Sequence, residues 1–264
     1  MTPPASFSWF RGEVHAEVVL GVVALAAAYT WATLVARRPE SLATPLAFFG
    51  GCAALLAALN GPLHDLSDYY LFSAHMVQHL VLTLVVAPLW LVGTPGWMLD
   101  GAVGRAPEWI AGLLRLATRP LPAFAAYTVA LVAWHLPGPY NTALEIHGWH
   151  VVEHLVLLAA AVLGWWPILA RSARLPGLPY AAQLLYLFVF GMPMTVVAAM
   201  VSGAEQVLYP YYATAPRVVD LTPLADQHLG GMIMWVPAGL VPVIAFTVVF
   251  FRWVRAEREV DDAA

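Results

Sequence analysis

The stretch HGWHVVEHLVLLAAAVLGWWPILA, residues 147–170, decides the fold of this chain. Its apolar part is long enough to cross about 30 Å of hydrocarbon as a helix of about 20 residues. His147, His150 and His154 recur at helical spacing and therefore share one face of that helix. Arg171 follows the stretch directly. The pattern predicts a transmembrane helix with histidine at one end and arginine at the other.

Six more apolar stretches have a comparable length. The predicted spans are residues 17–36, 42–59, 71–92, 121–136, 149–170, 181–201 and 228–251. The composition agrees, with 61% hydrophobic residues, 11% charged residues and a mean hydropathy of +0.74. No polar stretch is long enough for a separate soluble domain. We therefore predict that residues 1–264 form a single all-α integral membrane domain, a bundle of seven transmembrane helices in the lipid bilayer.

Arginine is distributed unevenly between the two ends of these spans. Lysine is absent, and ten of the twelve arginines follow the first, third, fifth and seventh spans. The opposite side holds only Arg11 and Arg217. The positive-inside rule then predicts an outer N-terminus and a cytoplasmic C-terminus. The first span is flanked by Arg37 and Arg38 rather than by a cleavage site, so we expect it to be retained.

All nine histidines lie at the arginine-poor end of the spans. His75 and His79 form an HxxxH pair, one helical turn apart, beside the triplet of the fifth span. The remaining histidines are His135, His228, His15 and His64. Ionisable groups in a bilayer cost a few kcal/mol each unless they are paired, solvated or coordinated. The two stripes therefore predict a shared polar or metal-filled cavity, whereas His15 and His64 lie outside them and are expected to contribute little.

Three methionines suggest which metal would suit this cavity. Met192 and Met194 flank Pro193 in the sixth span, and Met232 follows His228 by one helical turn. Mixed imidazole and thioether ligands suit Cu(I), whereas zinc and iron sites favour histidine with carboxylate. Each of these methionines is more often a packing residue in an apolar bundle, although the three are the best thioether candidates of the chain.

Other polar and aromatic residues of the outer side have simpler interpretations. Asp65, Asp68 and Asp226 are interpreted as part of a solvated acidic rim. The aromatic run at residues 209–212 is interpreted as an interfacial belt. Cys52 is the only cysteine, which excludes a CxxC thiol mechanism and predicts a buried, inert thiol.

Four histidine-containing strings also carry a resemblance to a known family. They are SAHMVQH at 73–79, WHLP at 134–137, HGWHVVEH at 147–154 and DQHLGGM at 226–232. In this order they resemble the CtaG family of cytochrome c oxidase assembly factors, associated with caa(3)-type oxidases. The residues that match are His75, His79, His135, His147, His150, His154 and His228.

The resemblance implies a multi-pass protein of the bacterial plasma membrane that delivers copper to a haem-copper oxidase on the outer side. Its partners would be cytochrome c oxidase subunits and a soluble copper donor, and we expect no nucleic-acid partner. Together with the spacing, this predicts a copper-handling assembly factor that is not an enzyme. The predicted metal ligands are the seven matching histidines with Met192, Met194 and Met232.

Three other functions stay open on the residues alone. A b-type cytochrome would bind haem between His79 and His154, or between His135 and His228, and haem is the less favoured cofactor. An integral-membrane di-iron oxygenase also uses HxxxH clusters, but its HxxHH doublets are absent here. A non-metal scaffold subunit of a respiratory oxidase would use the histidines as a hydrogen-bonded network.

The arginine distribution leads to a test of orientation. Reporter fusions after Arg119 and Arg174 should read cytoplasmic, and fusions near Glu145 and Asp220 should read external. The reversed pattern would place the histidine end in the cytosol and contradict delivery on the outer side.

Overall fold

The structure is a computed structural model that describes residues 7–10 and 12–262. Within these ranges the secondary structure is helical and no strand is present, which confirms the all-α prediction. Arg11, one of the two arginines predicted on the outer side, lies outside the described residues. In chain order the helices are α1 Ala16–Ala36, α2 Ala43–Ala58, α3 Gly61–Tyr69, α4 Phe72–Gly93, α5 Gly96–Arg105, α6 Glu108–Ala117, α7 Pro120–His135, α8 Pro137–Glu145, α9 His147–Leu169, α10 Tyr180–Ser202, α11 Pro210–Thr214 and α12 Pro223–Asp261.

Five of these helices, α1, α4, α9, α10 and α12, are long and apolar enough to cross a membrane. Helices α2 and α7 have only 16 residues each. They join α3 and α6 through bends of 47° and 78°, and up to seven spans result if each bent pair is one span. The multi-pass character is therefore confirmed, whereas the count of seven and the orientation stay predictions.

Helix α4 lies at the centre of the bundle and α1 at its edge. Helix α4 packs against α2, α3, α9 and α12. In the most apolar window of α4, 61% of the residues are buried, against 11% for α1. Side chains of α4 near its N-terminus therefore face neighbouring helices rather than lipid.

A π-helical turn at Val81–Val86 interrupts α4 and begins two residues after His79. Pro88 has no backbone N–H and cannot complete the regular hydrogen-bond ladder of this segment. Trp165 of α9 donates its indole N–H to the Thr83 carbonyl at 2.9 Å, and the Thr83 hydroxyl donates to the His79 carbonyl at 2.8 Å. Helix α9 thus stabilises the irregular turn, a feature frequent near functional sites.

Arg171 lies at the opposite end of the described bundle from the histidines, whereas Arg217 lies at the histidine end, where it donates to the Tyr70 and Tyr212 carbonyls. At the arginine end, the Arg171 guanidinium donates to the Val92 carbonyl at 3.1 Å, which ties the end of α4 to the loop after α9. In the same region Asp100 accepts a hydrogen bond of 2.5 Å from the Ser172 hydroxyl, and this bond lowers the pKa of Asp100. The N-terminal ends of α4 and α9, which carry histidine, meet at the other end of the bundle.

Close packing of α9 against α7 and α10 depends on Gly164. A methyl group at Gly164 would lie 2.8 Å from the Phe190 ring and 3.1 Å from Tyr127 Cβ. Gly164→Ala should therefore destabilise the bundle by about 1–3 kcal/mol through overpacking. The midpoint of thermal unfolding in detergent measures this loss.

Gly148 supplies a matched control on the same helix, because a methyl group there would meet nothing within 4 Å. Gly148→Ala should be neutral or stabilising by up to about 1 kcal/mol, since alanine is the better helix former. Equal effects of the two substitutions would contradict the packing of α9 against α7 and α10.

Candidate metal centre at the histidine end

Asp226 of α12 fixes the N-terminus of α4, where the histidine pair lies. Its buried carboxylate accepts hydrogen bonds from the backbone N–H groups of Phe72 at 2.8 Å and Ser73 at 3.2 Å. The Ser73 hydroxyl donates to the same carboxylate. The first N–H groups of a helix lack partners within the helix, and the helix dipole favours negative charge there. The interpretation of Asp226 as a solvated rim carboxylate is wrong, because this side chain caps α4.

Tyr212 fixes the protonation pattern of His75. The Tyr212 hydroxyl donates to the Ser67 carbonyl and lies 3.0 Å from His75 Nδ1. A tyrosine hydroxyl has only one hydrogen, so it must accept the second bond from His75 Nδ1–H. Neutral His75 then has its lone pair on Nε2, where it accepts a hydrogen bond of 2.8 Å from His79 Nε2–H and where a metal ligand also needs it.

His75, His79, Glu153 and His154 form the buried cluster, and each offers one ligand atom within 4.8 Å of the others. His75 Nε2 and His79 Nε2 are 2.8 Å apart. The Glu153 carboxylate oxygens lie 3.6 Å from His79 Nε2 and 3.9 Å from His75 Nε2. The structure therefore brings the HxxxH pair and the end of the fifth-span stripe together, and it adds a carboxylate.

Several polar atoms of the buried cluster have no hydrogen-bond partner. These atoms are both carboxylate oxygens of Glu153, His154 Nε2 and His79 Nδ1. A buried carboxylate costs several kcal/mol unless a proton or a cation compensates it. Three imidazoles and one carboxylate fit a single divalent transition metal, with zinc, iron and Cu(II) the ions best suited to these donors.

His135 and His150 flank the buried cluster, each with a free Nε2. His135 Nδ1 donates to the Leu131 carbonyl at 2.7 Å, and His150 Nδ1 lies 3.2 Å from the Asp68 carboxylate. Neither His135 Nε2 nor His150 Nε2 has a hydrogen-bond partner. The His135 ring centroid lies 5.4 Å from that of His79, and the His150 centroid lies 4.3 Å from that of His154. Both could serve as alternative ligands.

The other predicted ligands lie elsewhere. The side chain of His147 is 52% exposed. The stripe from His147 to His154 extends about 10 Å along the helix, so its histidines cannot all bind one ion. His228 Nε2 donates to the Ala204 carbonyl at 2.8 Å. Met192 and Met232 are 46% and 57% exposed.

Met194 is buried in the main apolar core. A thioether role for the three methionines therefore stays a prediction that the geometry does not favour.

Sequence reasoning missed several residues of this region. Glu153 could have been found, because a carboxylate inside an apolar span is itself a functional signal. Asp68 and Tyr212 reach the cluster only through tertiary packing.

Tyr209 and Tyr212 are buried, and Tyr209 donates to the His135 carbonyl at 2.8 Å. The interpretation of the aromatic run at residues 209–212 as an interfacial belt is therefore wrong for both tyrosines. Cys52 is buried and free, as predicted.

A haem between His79 and His154 does not fit this arrangement. Their ring centroids are 5.5 Å apart with the rings nearly perpendicular, and His75 Nε2 occupies the space beside His79 Nε2. A porphyrin requires a flat slot between its two axial ligands.

The fold and the site together define a helical membrane protein with a buried histidine–carboxylate cluster at one end. Residues 27–256 match the family described as cytochrome c oxidase caa3 assembly factor (Caa3_CtaG), and the chain belongs to this family. The resemblance of the histidine strings is thereby confirmed.

Uncharacterized mycobacterial proteins are among the similar sequences. A protein of Mycobacterium tuberculosis is 26% identical over 239 residues, which cover 81% of this chain and 34% of the relative. A protein of Mycobacterium leprae is 23% identical over 240 residues, with coverages of 81% and 35%. The chain thus spans about a third of the length of the curated relatives it matches. No solved structure matches this chain.

The Asp226 cap leads to a test of how α4 is positioned. Asp226→Ala removes the acceptor of two backbone N–H groups and should lower the free energy of unfolding by about 1–3 kcal/mol. Thermal unfolding in detergent measures this loss. Asp220→Ala is the control, because Asp220 is exposed in the loop before α12. A similar midpoint for the two variants would contradict the capping role.

Proposed function

We propose that this protein binds a copper ion in the buried cluster of His75, His79, Glu153 and His154, and delivers it to cytochrome c oxidase during assembly. The observation that carries the proposal is the Glu153 carboxylate, which is buried against imidazoles with neither oxygen hydrogen-bonded. A divalent cation at this position would compensate the carboxylate charge and give the unpartnered His154 Nε2 a partner.

The family supplies the reason to choose copper among the ions that fit. A cytochrome c oxidase is a haem-copper enzyme, so its assembly requires a supply of copper. Of the divalent first-row ions, Cu²⁺ also binds nitrogen and oxygen ligands most tightly. The carboxylate favours Cu(II) over Cu(I) in this site, which differs from the preference that methionine ligands would give.

Delivery requires that the ion can leave. His135 and His150 each place an unpartnered Nε2 beside the four residues, so ligands can be exchanged one at a time. A closed cage of four fixed ligands would hold the ion too firmly for transfer. The protein therefore acts by ligand exchange, without covalent chemistry.

The proposal places this exchange on the outer side of the bacterial plasma membrane. The arginine-poor end of the described bundle carries the histidines, and the positive-inside rule puts that end outside. Oxidase subunits are the proposed recipients of copper, and a soluble copper carrier is the proposed donor.

Copper content tests the proposal directly. Wild-type protein purified from copper-supplemented cells should carry about one tightly bound copper per chain, as expected for a single four-ligand site. Glu153→Gln keeps the shape of the side chain and removes its charge, so it should lower bound copper strongly. His79→Ala and His154→Ala should each do the same, and their combination should lose little more, because residues of one site act together. Elemental analysis by mass spectrometry measures all of these variants.

His228→Ala is the matched control, since His228 bonds the Ala204 carbonyl outside the buried cluster. This variant should keep its copper. Zinc or iron in place of copper would contradict the choice of metal. Full copper retention in Glu153→Gln would contradict the site.

A further inference from the structure

The buried cluster needs a route by which an ion can reach it. His75 and Glu153 are fully buried, and His79 is nearly so. A hydrated ion therefore cannot contact these ligands directly from the membrane surface. A working metal site requires an entry path as well as ligands.

We propose that His15, Glu17 and His147 form a second site, which captures Cu²⁺ at the surface and passes it inward through a histidine-lined cavity. This site, named here the entry triad, loads the buried cluster and so rests on the proposed copper function. Of its three residues, only His147 was predicted from sequence to bind metal, and His15 was predicted to lie outside the metal-binding set.

The entry triad has the geometry of an open, exchangeable site. One ligand atom from each of its three residues lies within 4.8 Å of the others. His15 Nδ1 is 3.1 Å and His147 Nε2 is 3.9 Å from the Glu17 carboxylate. The side chains of Glu17 and His147 are 56% and 52% exposed. Three protein ligands with positions open to water are typical of sites that exchange what they bind.

The chain fixes this triad from two separate elements. His15 is the N-cap residue of α1, and its backbone N–H donates to the Asn60 side chain at 2.8 Å. The Gly61 N–H donates to the Glu13 carbonyl at 2.8 Å, which fastens the start of α1 to the corner between α2 and α3. His147 begins α9 on the facing side. The triad thus spans the gap between the peripheral helix and the bundle.

A cavity of about 400 Å³ extends from the entry triad to His154, one of the four residues of the buried cluster. It lies between α1, α2, α4 and α9, and its histidines are His15, His64, His147, His150 and His154. Apart from these histidines and Glu17, the cavity is lined by apolar side chains. His154 belongs to both the cavity wall and the buried cluster, so it marks where the route ends.

Successive imidazoles along this route are close enough for stepwise ligand exchange. The ring centroids are 4.4 Å apart between His15 and His64, and 5.9 Å apart between His64 and His150. From His150 the next ring, His154, is 4.3 Å away. His150 and His154 offer an unpartnered Nε2 to an ion moving inward, whereas at His64 the ion would displace the hydrogen bond between Gln78 and His64 Nδ1.

Asp68 supplies negative charge at the middle of the route. Its buried carboxylate lies 3.3 Å from His64 Nε2 and 3.2 Å from His150 Nδ1. A carboxylate at this point lowers the cost of bringing a cation into an apolar cavity. Its contact with His150 Nδ1 also orients this imidazole, whose Nε2 has no hydrogen-bond partner.

Copper loading of the purified full chain tests the route. Metal-free protein in detergent is mixed with limiting Cu²⁺, quenched with a chelator after increasing times, and assayed for retained copper. Glu17→Gln and His147→Ala should slow loading by at least about tenfold, the scale on which lost support weakens a metal site. Final occupancy of the buried cluster should be unchanged, because the altered residues are not its ligands.

Two control variants make the same kinds of substitution outside the entry triad, so that each test variant is compared with one of equal change in charge or histidine number. Glu145→Gln changes an exposed carboxylate just before α9, and His228→Ala removes a histidine outside the cavity. Both should load at the wild-type rate. Unchanged loading in Glu17→Gln and His147→Ala would overturn the route while leaving the buried site standing.

A second background separates the two proposals. In a Glu153→Gln/His154→Ala double variant, weaker Cu²⁺ binding at the entry triad should persist and should disappear when His147→Ala is added. Weak Cu²⁺ binding that persists in the double variant and is lost when His147→Ala is added supports the triad. This holds even if the wild-type protein carries no tightly bound copper. That result would contradict only the proposed function. Weak binding that is insensitive to His147→Ala would overturn the triad.

Discussion

Glu153 carries its carboxylate into the interior of a helical bundle, where neither oxygen has a hydrogen-bond partner and imidazoles lie on its nearest sides. Burial of such a group is unfavourable unless a proton or a cation balances its charge. Helix α9 brings Glu153 and His154, helix α4 brings His75 and His79, and the two helices pack directly on each other. A divalent ion among these four side chains would turn an unfavourable burial into a binding site.

The surroundings of the cluster hold its ligands before any ion binds. Asp226 caps α4 from a helix more than 150 residues away in sequence, and Tyr212 selects the tautomer of His75. Trp165 supports the π-helical turn that follows His79. These contacts come from α12, α11 and α9, so the site depends on α11 and α12 as well as on the two helices that carry the histidine stripes. The same bundle leaves α1 at the edge, and this opens the cavity through which the entry triad reaches the interior.

Much of the fold could be predicted because it depends on local properties. Hydrophobic length predicts the helices beginning at Phe72 and His147, and helical spacing predicts that His75 and His79 share a face. The burial of a residue along its helix is harder to predict. His147 and His154 are both predicted as metal ligands, although His154 is buried and His147 is not. His15, His64 and Asp68 join the route only because tertiary packing brings their side chains beside His147 and His150 of α9, which no local pattern encodes. Glu153 is not predicted as a ligand for another reason, because the methionines favour a Cu(I) site of imidazole and thioether without carboxylate.

The central claim is that imidazole and carboxylate groups, without sulfur, hold the metal. Copper K-edge X-ray absorption on the copper-loaded wild-type protein tests it most directly. We predict a first shell of nitrogen and oxygen at about 2.0–2.2 Å with the outer-shell scattering of imidazole rings. Glu153→Gln should alter that shell. A sulfur shell at about 2.3 Å, or a copper-loaded protein without imidazole scattering, would contradict the account.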